Sequence, residues 1–358
     1  MGASLSYLHL NMSLNPSIPY RDDAPLHALL DASLRLPPEY RDQLTSHLPM
    51  ALHALHSLGA SAPRMQAFYT SYARRFSVQS AAQPEESSRG SDDVPWQSLR
   101  GHNDAYAQLR DQFTAQTAQL GGPATLRLLL PDLLPGVAAA AFHGVIRTAH
   151  ALESGHPGEL AAALAYWAWR WQALQPPVPA RQPLDLETWS GQLVAQSIGW
   201  QSDGPLISIR MTHASCSDIY QDLAGALAPA VDVRTRIAEL AAVAVQRYVH
   251  QPNFTVLHMI TGLRALRTLL PWLADNEETQ AILTYCFVAA YMAAGVVPAA
   301  EPPAVASRDW PDVIAAAISS DDDHVIKLVH ACREELAAYG HGPYLLAASL
   351  AVRPRQGL

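Results

Sequence analysis

Cysteine is scarce in this chain of 358 residues. The three present, Cys216, Cys286 and Cys332, are far apart and odd in number, and no CxxC occurs. Neither a disulfide framework nor a thiolate zinc site is indicated, and a reducing, cytoplasmic setting is the expectation. Charge is sparse as well, at 16% of residues, and it sums to −8 without a Lys/Arg cluster. An acidic chain with no basic face is poorly made to follow a phosphate backbone, so nucleic acid is not expected as a partner. No apolar run reaches membrane-spanning length without a charge, Pro or Gly, and no basic stretch leads into an apolar one at the start. Neither a membrane nor a secretion signal is therefore expected. HExxH, GxSxG, the Walker A loop, the EF-hand loop and a strand-borne GxGxxG are all missing. Those absences leave a zincin protease and an ordinary flavin or nicotinamide site unsupported. If the chain does redox chemistry, a histidine-bound metal is the simplest centre.

What is abundant is apolar residues, 49% of the chain, in helical periodicity. Helices are expected at about 25–36, 39–58, 63–76, 101–119, 123–131, 135–152 and 157–174. Helical patterning resumes at about 216–229, 231–249, 254–274, 277–295, 309–318, 322–339 and 342–352. No βαβ alternation is visible, so the fold class is all-α. Residues 1–23 read as a flexible arm and 24–358 as a single domain. Within it, 78–94 is a Ser/Gln/Glu-rich mobile loop. Residues 176–212 form a Pro/Gly-rich connector whose run Leu206–Arg210 could make a small β-hairpin. HLPMALHALHSLGAS and FHGVIRTAHALESGH each place a His ahead of an apolar helix that ends in a Gly turn, which suggests a diverged αα-hairpin repeat.

Fifteen histidines are many. Four share one setting, a His on a long apolar helix: His47, His143, His258 and His324. Imidazole is the commonest side-chain metal ligand, and four such placements on four helices point to a shared site. His324 and Lys327 are three residues apart and so reach one centre from one face. His150, seven residues after His143, is about 10 Å too far along the helix to join it. His53 and His56 form the rival pair, and His330, six residues past His324, is read as facing away. Asp321–Asp323 read as helix caps, although Asp321 or Asp322 could orient a ligand imidazole. Arg147 is a weak catalytic candidate, able to meet a substrate phenolate or a carboxylate such as Glu153. Tyr166, Trp167, Trp169 and Trp171 could line a pocket, but steps of two residues point opposite ways on a helix, so core packing is the favoured reading.

The blocks SHLPMALHALHSLGAS, LLPGVAAAAFHGVIRTAHALE, FTVLHMITGLRALRTLLPW and DDHVIKLVHACREE resemble the questin oxidase-like family. With the linking helices, the likeness spans most of residues 25–350. It is carried by the order and spacing of FHG, LHxxTG and DxHxxK. The family includes enzymes that open anthraquinone-type rings with oxygen, by Baeyer–Villiger-like or dioxygenase chemistry. The resemblance implies a non-haem Fe(II) held by His47, His143, His258 and His324 together with a carboxylated Lys327. It also implies an aromatic polyketide or quinone substrate, with O2 as co-substrate. NADPH serves as external reductant in some activities of the family, though no binding fingerprint for it occurs here. Ser46 and Arg147 stand where the fungal members commonly have Asn and His. The competing expectations are a metal-dependent hydrolase using a carboxylated lysine, and a helical interaction protein without chemistry.

Overall fold

A computed structural model describes residues 23–41, 43–77, 94–297 and 308–353. The expected arm (1–23) and the expected loop (78–94) lie almost entirely outside the described residues. Helix α1 (Ala24–Ser33) precedes a two-stranded antiparallel ribbon of β1 (Glu39–Tyr40) and β2 (Leu44–Thr45), in which Glu39 pairs with Thr45 and Tyr40 with Leu44. Next come α2 (Leu48–Leu58), α3 (Ala62–Ser77), α4 (Trp96–Leu99), α5 (Tyr106–Leu120) and α6 (Gly122–Leu133). A 3-10 turn over Leu134–Gly136 leads towards α7 (His143–Ser154) and α8 (Pro157–Trp169). The chain continues through α9 (Leu186–Ser197), α10 (Ile207–Ser215), α11 (Asp218–Ala224), α12 (Val233–His250) and α13 (Phe254–Leu269). It ends with α14 (Glu277–Ala293), α15 (Trp310–Ser319), α16 (Asp323–Tyr339) and α17 (Tyr344–Ala351). The fold is all-α with one small ribbon.

Four helices form the centre. α2 packs on α7 and α16, and α13 packs on the same two, closing a ring of four. The others wrap it: α1 and α3 against α2, α8 against α7, α12 and α14 against α13, and α15 and α17 against α16. Caps explain where the core helices start and stop. Pro49 stands in the first turn of α2, and Gly59 ends the helix with φ 101°, a conformation any Cβ would strain. Asn253 caps α13 by accepting the Thr255 N–H at 2.8 Å. The two look-alike stretches are α2 and α7, neighbours in the ring, each followed after a Gly turn by a helix that packs back on it, α3 and α8.

Three expectations change. The ribbon lies at Glu39–Thr45, where a helix over 39–58 was expected, so α2 starts only at Leu48. Residues 176–212 hold α9 and the start of α10, and Leu206–Arg210 is a helix entry, because Met211 and Ala214 need burial where α10 packs on α14. The single helix over 135–152 is broken. Ala140, Ala141 and Phe142 have φ of 46°, 58° and 69°, three consecutive left-handed residues without a glycine among them. Each costs on the order of 1 kcal/mol. The break redirects the chain so that α7 opens on His143.

The glycine of FHG has a packing reason. A Cβ on Gly144 would stand 2.7 Å from Cγ of Trp167, whose indole N–H donates to the Gly136 carbonyl at 3.0 Å. Gly144→Ala is therefore expected to destabilise the protein by about 1–3 kcal/mol through overpacking, read as a lowered urea midpoint with unchanged slope.

Candidate metal centre

All four singled-out histidines lie at or near the starts of the ring helices. His47 is the N-cap of α2, His143 the first residue of α7, and His324 the second of α16. His258 is one turn into α13. Four helix starts at one end mean that the ring helices run in the same sense, and their positive dipole ends converge. Such an arrangement favours anions at its centre.

The imidazoles meet. His143 Nε2 is 2.7 Å from His47 Nε2 and 3.1 Å from His258 Nε2. The His324 ring lies 4.5 Å from that of His47 and 5.5 Å from that of His258, centre to centre. His47, His258 and His324 can each turn one ligand atom to within 4.8 Å of the others.

The other ring nitrogen decides the tautomers. His143 Nδ1 bonds the Ala140 carbonyl, and His258 Nδ1 bonds the Phe254 carbonyl at 2.7 Å. His47 Nδ1 and His324 Nδ1 meet Asp323 Oδ1 at 2.6 and 2.9 Å. Carbonyls and carboxylates only accept, so each Nδ1 carries the hydrogen. Burial keeps the rings of His47, His143 and His258 neutral. It pushes His47 down to about 3, with Lys327 adding to the effect, and holds His143 and His258 well below the usual imidazole range. The Nε2 lone pairs of His47, His143 and His258 therefore meet, and Nε2 of His324, whose ring lies against that of His47, is buried with no partner. Lone pairs 2.7 and 3.1 Å apart repel unless a cation sits among them. The donor set fits a borderline transition metal such as iron or zinc.

Asp323 is the residue that motif reading passed over. Asp322 is the cap of α16, accepting the His324 N–H at 2.9 Å with the same Oδ1 3.5 Å from His324 Nδ1, and Asp321 pairs outside with Arg64 at 2.8 Å. Asp323 turns inward, 3% exposed, and Arg75 bonds its other oxygen at 3.0 Å. Burial opposes its charge, but His47 and His324 hold its carboxyl well below the usual range.

Lys327 is 1% exposed, and burial pushes its ammonium down to about 8 against the pull of Asp323 and Asp322. Its charge bears on His47, His143 and His258 together. It is also the only lysine of the chain: the other 23 of the 24 Lys and Arg residues are arginine. Arginine stays protonated, whereas lysine can lose its proton and act as a nucleophile.

A cleft of about 510 Å³ opens onto this cluster. His47, His143 and His324 form part of its wall, Phe254 packs beside His324 at 4.5 Å between ring centres, and Trp169, Trp171 and the ribbon line it as well. Trp169 and Trp171 both face it, because α8 ends at Trp169 and the helical two-residue argument no longer applies to Trp171. Trp167 is core. Arg147 does not line the cleft: Glu159 takes its Nε at 2.6 Å and its NH2 at 2.9 Å in a buried pair. The rival pair separates. His56 turns out to Asp23 at 2.9 Å, while His53 points into the ring of helices. His330 is corrected too, being 1% exposed and turned inward one layer below the cluster.

Among the described residues no helix is long and apolar enough to cross a membrane. A search of curated proteins returned no match. Compared with known families, residues 44–197 and 209–332 match the model described as Questin oxidase-like, which takes in every residue of the cluster.

Proposed function

The chain belongs to the Questin oxidase-like family, and we propose that it is a non-haem Fe(II) oxygenase that cleaves, or inserts oxygen into, a hydroxylated aromatic polyketide or quinone ring. The family suggests an oxygenase acting on anthraquinone-type substrates. The observation that carries the finer reading is the meeting of four imidazoles at the wall of an aromatic cleft, with the Nε2 atoms of His47, His143 and His258 turned on one another and that of His324 without a partner. His47, His143, His258 and His324 would hold the metal, and iron bound there would supply oxygen activation. Lys327 would complete the set as a carbamate. Its neutral amine adds to carbon dioxide and loses one proton, which gives an anionic oxygen ligand on a long arm. The helix starts around it stabilise that negative charge. Asp323 holds two of the ligand rings in the metal-binding tautomer. Trp169, Trp171 and Phe254 offer faces to a flat ring, and about 510 Å³ lies within the ordinary range for a small-molecule site.

Metal analysis and oxygen uptake test the reading together. Loaded without air, the protein should bind close to one Fe(II) per chain and then consume oxygen with a hydroxyanthraquinone. Adding and omitting NADPH separates the two chemistries. Insertion of one oxygen atom needs two electrons from outside, whereas cleavage that keeps both atoms in the product does not. Full iron with no uptake across a panel of such quinones and quinols would overturn the oxygenase. The single lysine makes the carbamate testable by itself. Carbon-13 dioxide should give one protein-bound carbamate resonance, lost in Lys327→Ala along with much of the iron.

The hydrolase alternative needs two metals within about 4 Å, bridged by the carbamate. Asp322 and Asp323, which group with His324, are engaged by the His324 N–H and by His47, His324 and Arg75, and the next group of ligand-type residues lies six or seven helical residues further along, roughly 10 Å away and beyond one bridge.

A further inference from the structure

That second group has no part in the chemistry above. One step down the same ring of helices, α2 contributes His53, α7 His150, α13 Arg264 and α16 His330. All four are buried, at 5%, 4%, 2% and 1% exposure. His53 Nδ1 faces His150 Nδ1 at 2.8 Å. The ring of His330 lies 5.7 Å from that of His53 and 5.3 Å from that of His150. Nδ1 of His330 is buried without a hydrogen-bond partner. Glu153 follows His150 by three residues on α7, so both side chains leave the same helix face. One of its oxygens comes within 4.8 Å of a nitrogen of both His53 and His150.

We propose that His53, His150, His330 and Glu153 form a second metal site, a closed structural site for Zn2+. Three imidazoles and one carboxylate make a complete tetrahedral set for zinc, and closed four-coordinate sites are structural. The ion would tie α2, α7 and α16 together where their apolar packing is interrupted by histidine. Separation of His53 and His150 by a few tenths of an ångström would admit it, given zinc–nitrogen bonds of about 2.0–2.1 Å. The carboxylate is already oriented: Arg264 donates to Oε2 of Glu153 at 2.6 Å, and the Thr268 hydroxyl donates to Oε1 at 3.2 Å. Metal-ligating carboxylates are commonly held this way. The Glu153 side chain is 29% exposed, which gives the ion a way in from solvent without passing the cleft. The alternative is a metal-free hydrogen-bonded core.

The test uses the full chain with the upper cluster disabled by the pair His143→Ala and His258→Ala and all metal stripped. Zn2+ alone is then titrated, followed by Co2+ in its place. One equivalent of Zn2+ should bind and raise the melting temperature, and the Co2+ form should show the intense visible absorption of four-coordinate cobalt. Adding His150→Ala should abolish both effects. Adding Glu153→Gln, which keeps a carbonyl oxygen for Arg264, should weaken Zn2+ binding at least tenfold. No zinc bound by the double variant would overturn the site. So would zinc bound equally well after Glu153→Gln.

Discussion

Asp323→Ala binds metal about 10–100-fold more weakly than the wild type, whereas Asp322→Ala, one residue earlier and only 3.5 Å from the Nδ1 of a single ring, weakens it by no more than about threefold. The contrast follows from where the two carboxylates point. Asp322 accepts a backbone N–H, and its loss costs about 1 kcal/mol of helix stability. Asp323 accepts from both His47 and His324, and from Arg75 as well. Without it, two of the four imidazoles are free to change tautomer or turn, and each must be set again when metal binds. Asp323→Asn keeps the shape but turns an N–H towards one of three donors, so it falls between the other variants. Competition with a chelator of known affinity measures the series. Asp323→Ala within twofold of wild type would remove the carboxylate from any role in holding the ligands.

Acid unfolds the metal-free protein well before its carboxylates protonate. An unfolded imidazole takes up a proton near pH 6.5, but His47 and His53 in the fold resist until about 3. Burial holds His143, His150, His258 and His330 well below the usual range too. Over that window the unfolded state carries more protons, so stability falls as pH falls. Each such histidine contributes roughly 1 kcal/mol per pH unit. Six together give on the order of 5 kcal/mol per unit or more, against a total of about 5–15 kcal/mol for an ordinary domain. Asp323 works in the same direction only at lower pH, because its depressed carboxyl loses its contribution below the usual carboxylate range. Circular dichroism in chelator should place the unfolding midpoint between about pH 5 and 6. Bound metal should shift it downward, because protons and metal compete for the same nitrogens. A metal-free protein still folded at pH 4.5 would contradict the neutral-histidine picture.

The helices were largely legible because their ends are chemically marked: Gly59, Gly155 and Gly340 are all left-handed stops. The ribbon was not, because its positive-φ residues Arg41 and Gln43 are neither Asn nor Gly, and the turn has no sequence signature. The break before His143 was hidden in an alanine run that reads as ideal helix. Its cause is tertiary, since Phe142 seats against Gly262 of α13, where a Cβ would come within 3.1 Å. The upper histidines were legible as a set, and the structure brings all four together. The lower set was not, because a six-residue step looks like a change of face when each helix is considered alone. Seen from the ring centre, a central helix has two useful faces. Lys327 had a plainer signal than its spacing: a chain with 23 arginines keeps its one lysine at a buried position.

The four ring helices begin at Leu48, His143, Phe254 and Asp323, so the chain makes three long excursions between them. Synthesis runs from the N-terminus, and α16 is next to last among the described helices. It carries His324, Lys327 and Asp323 together. A nascent chain with only the first three ring helices therefore has three of the four clustered histidines, no Lys327 and no carboxylate to orient His47. With the cluster holding metal as proposed, loading would wait until α16 docks, and a defect that slows docking would show first as metal-poor protein and only later as misfolded protein.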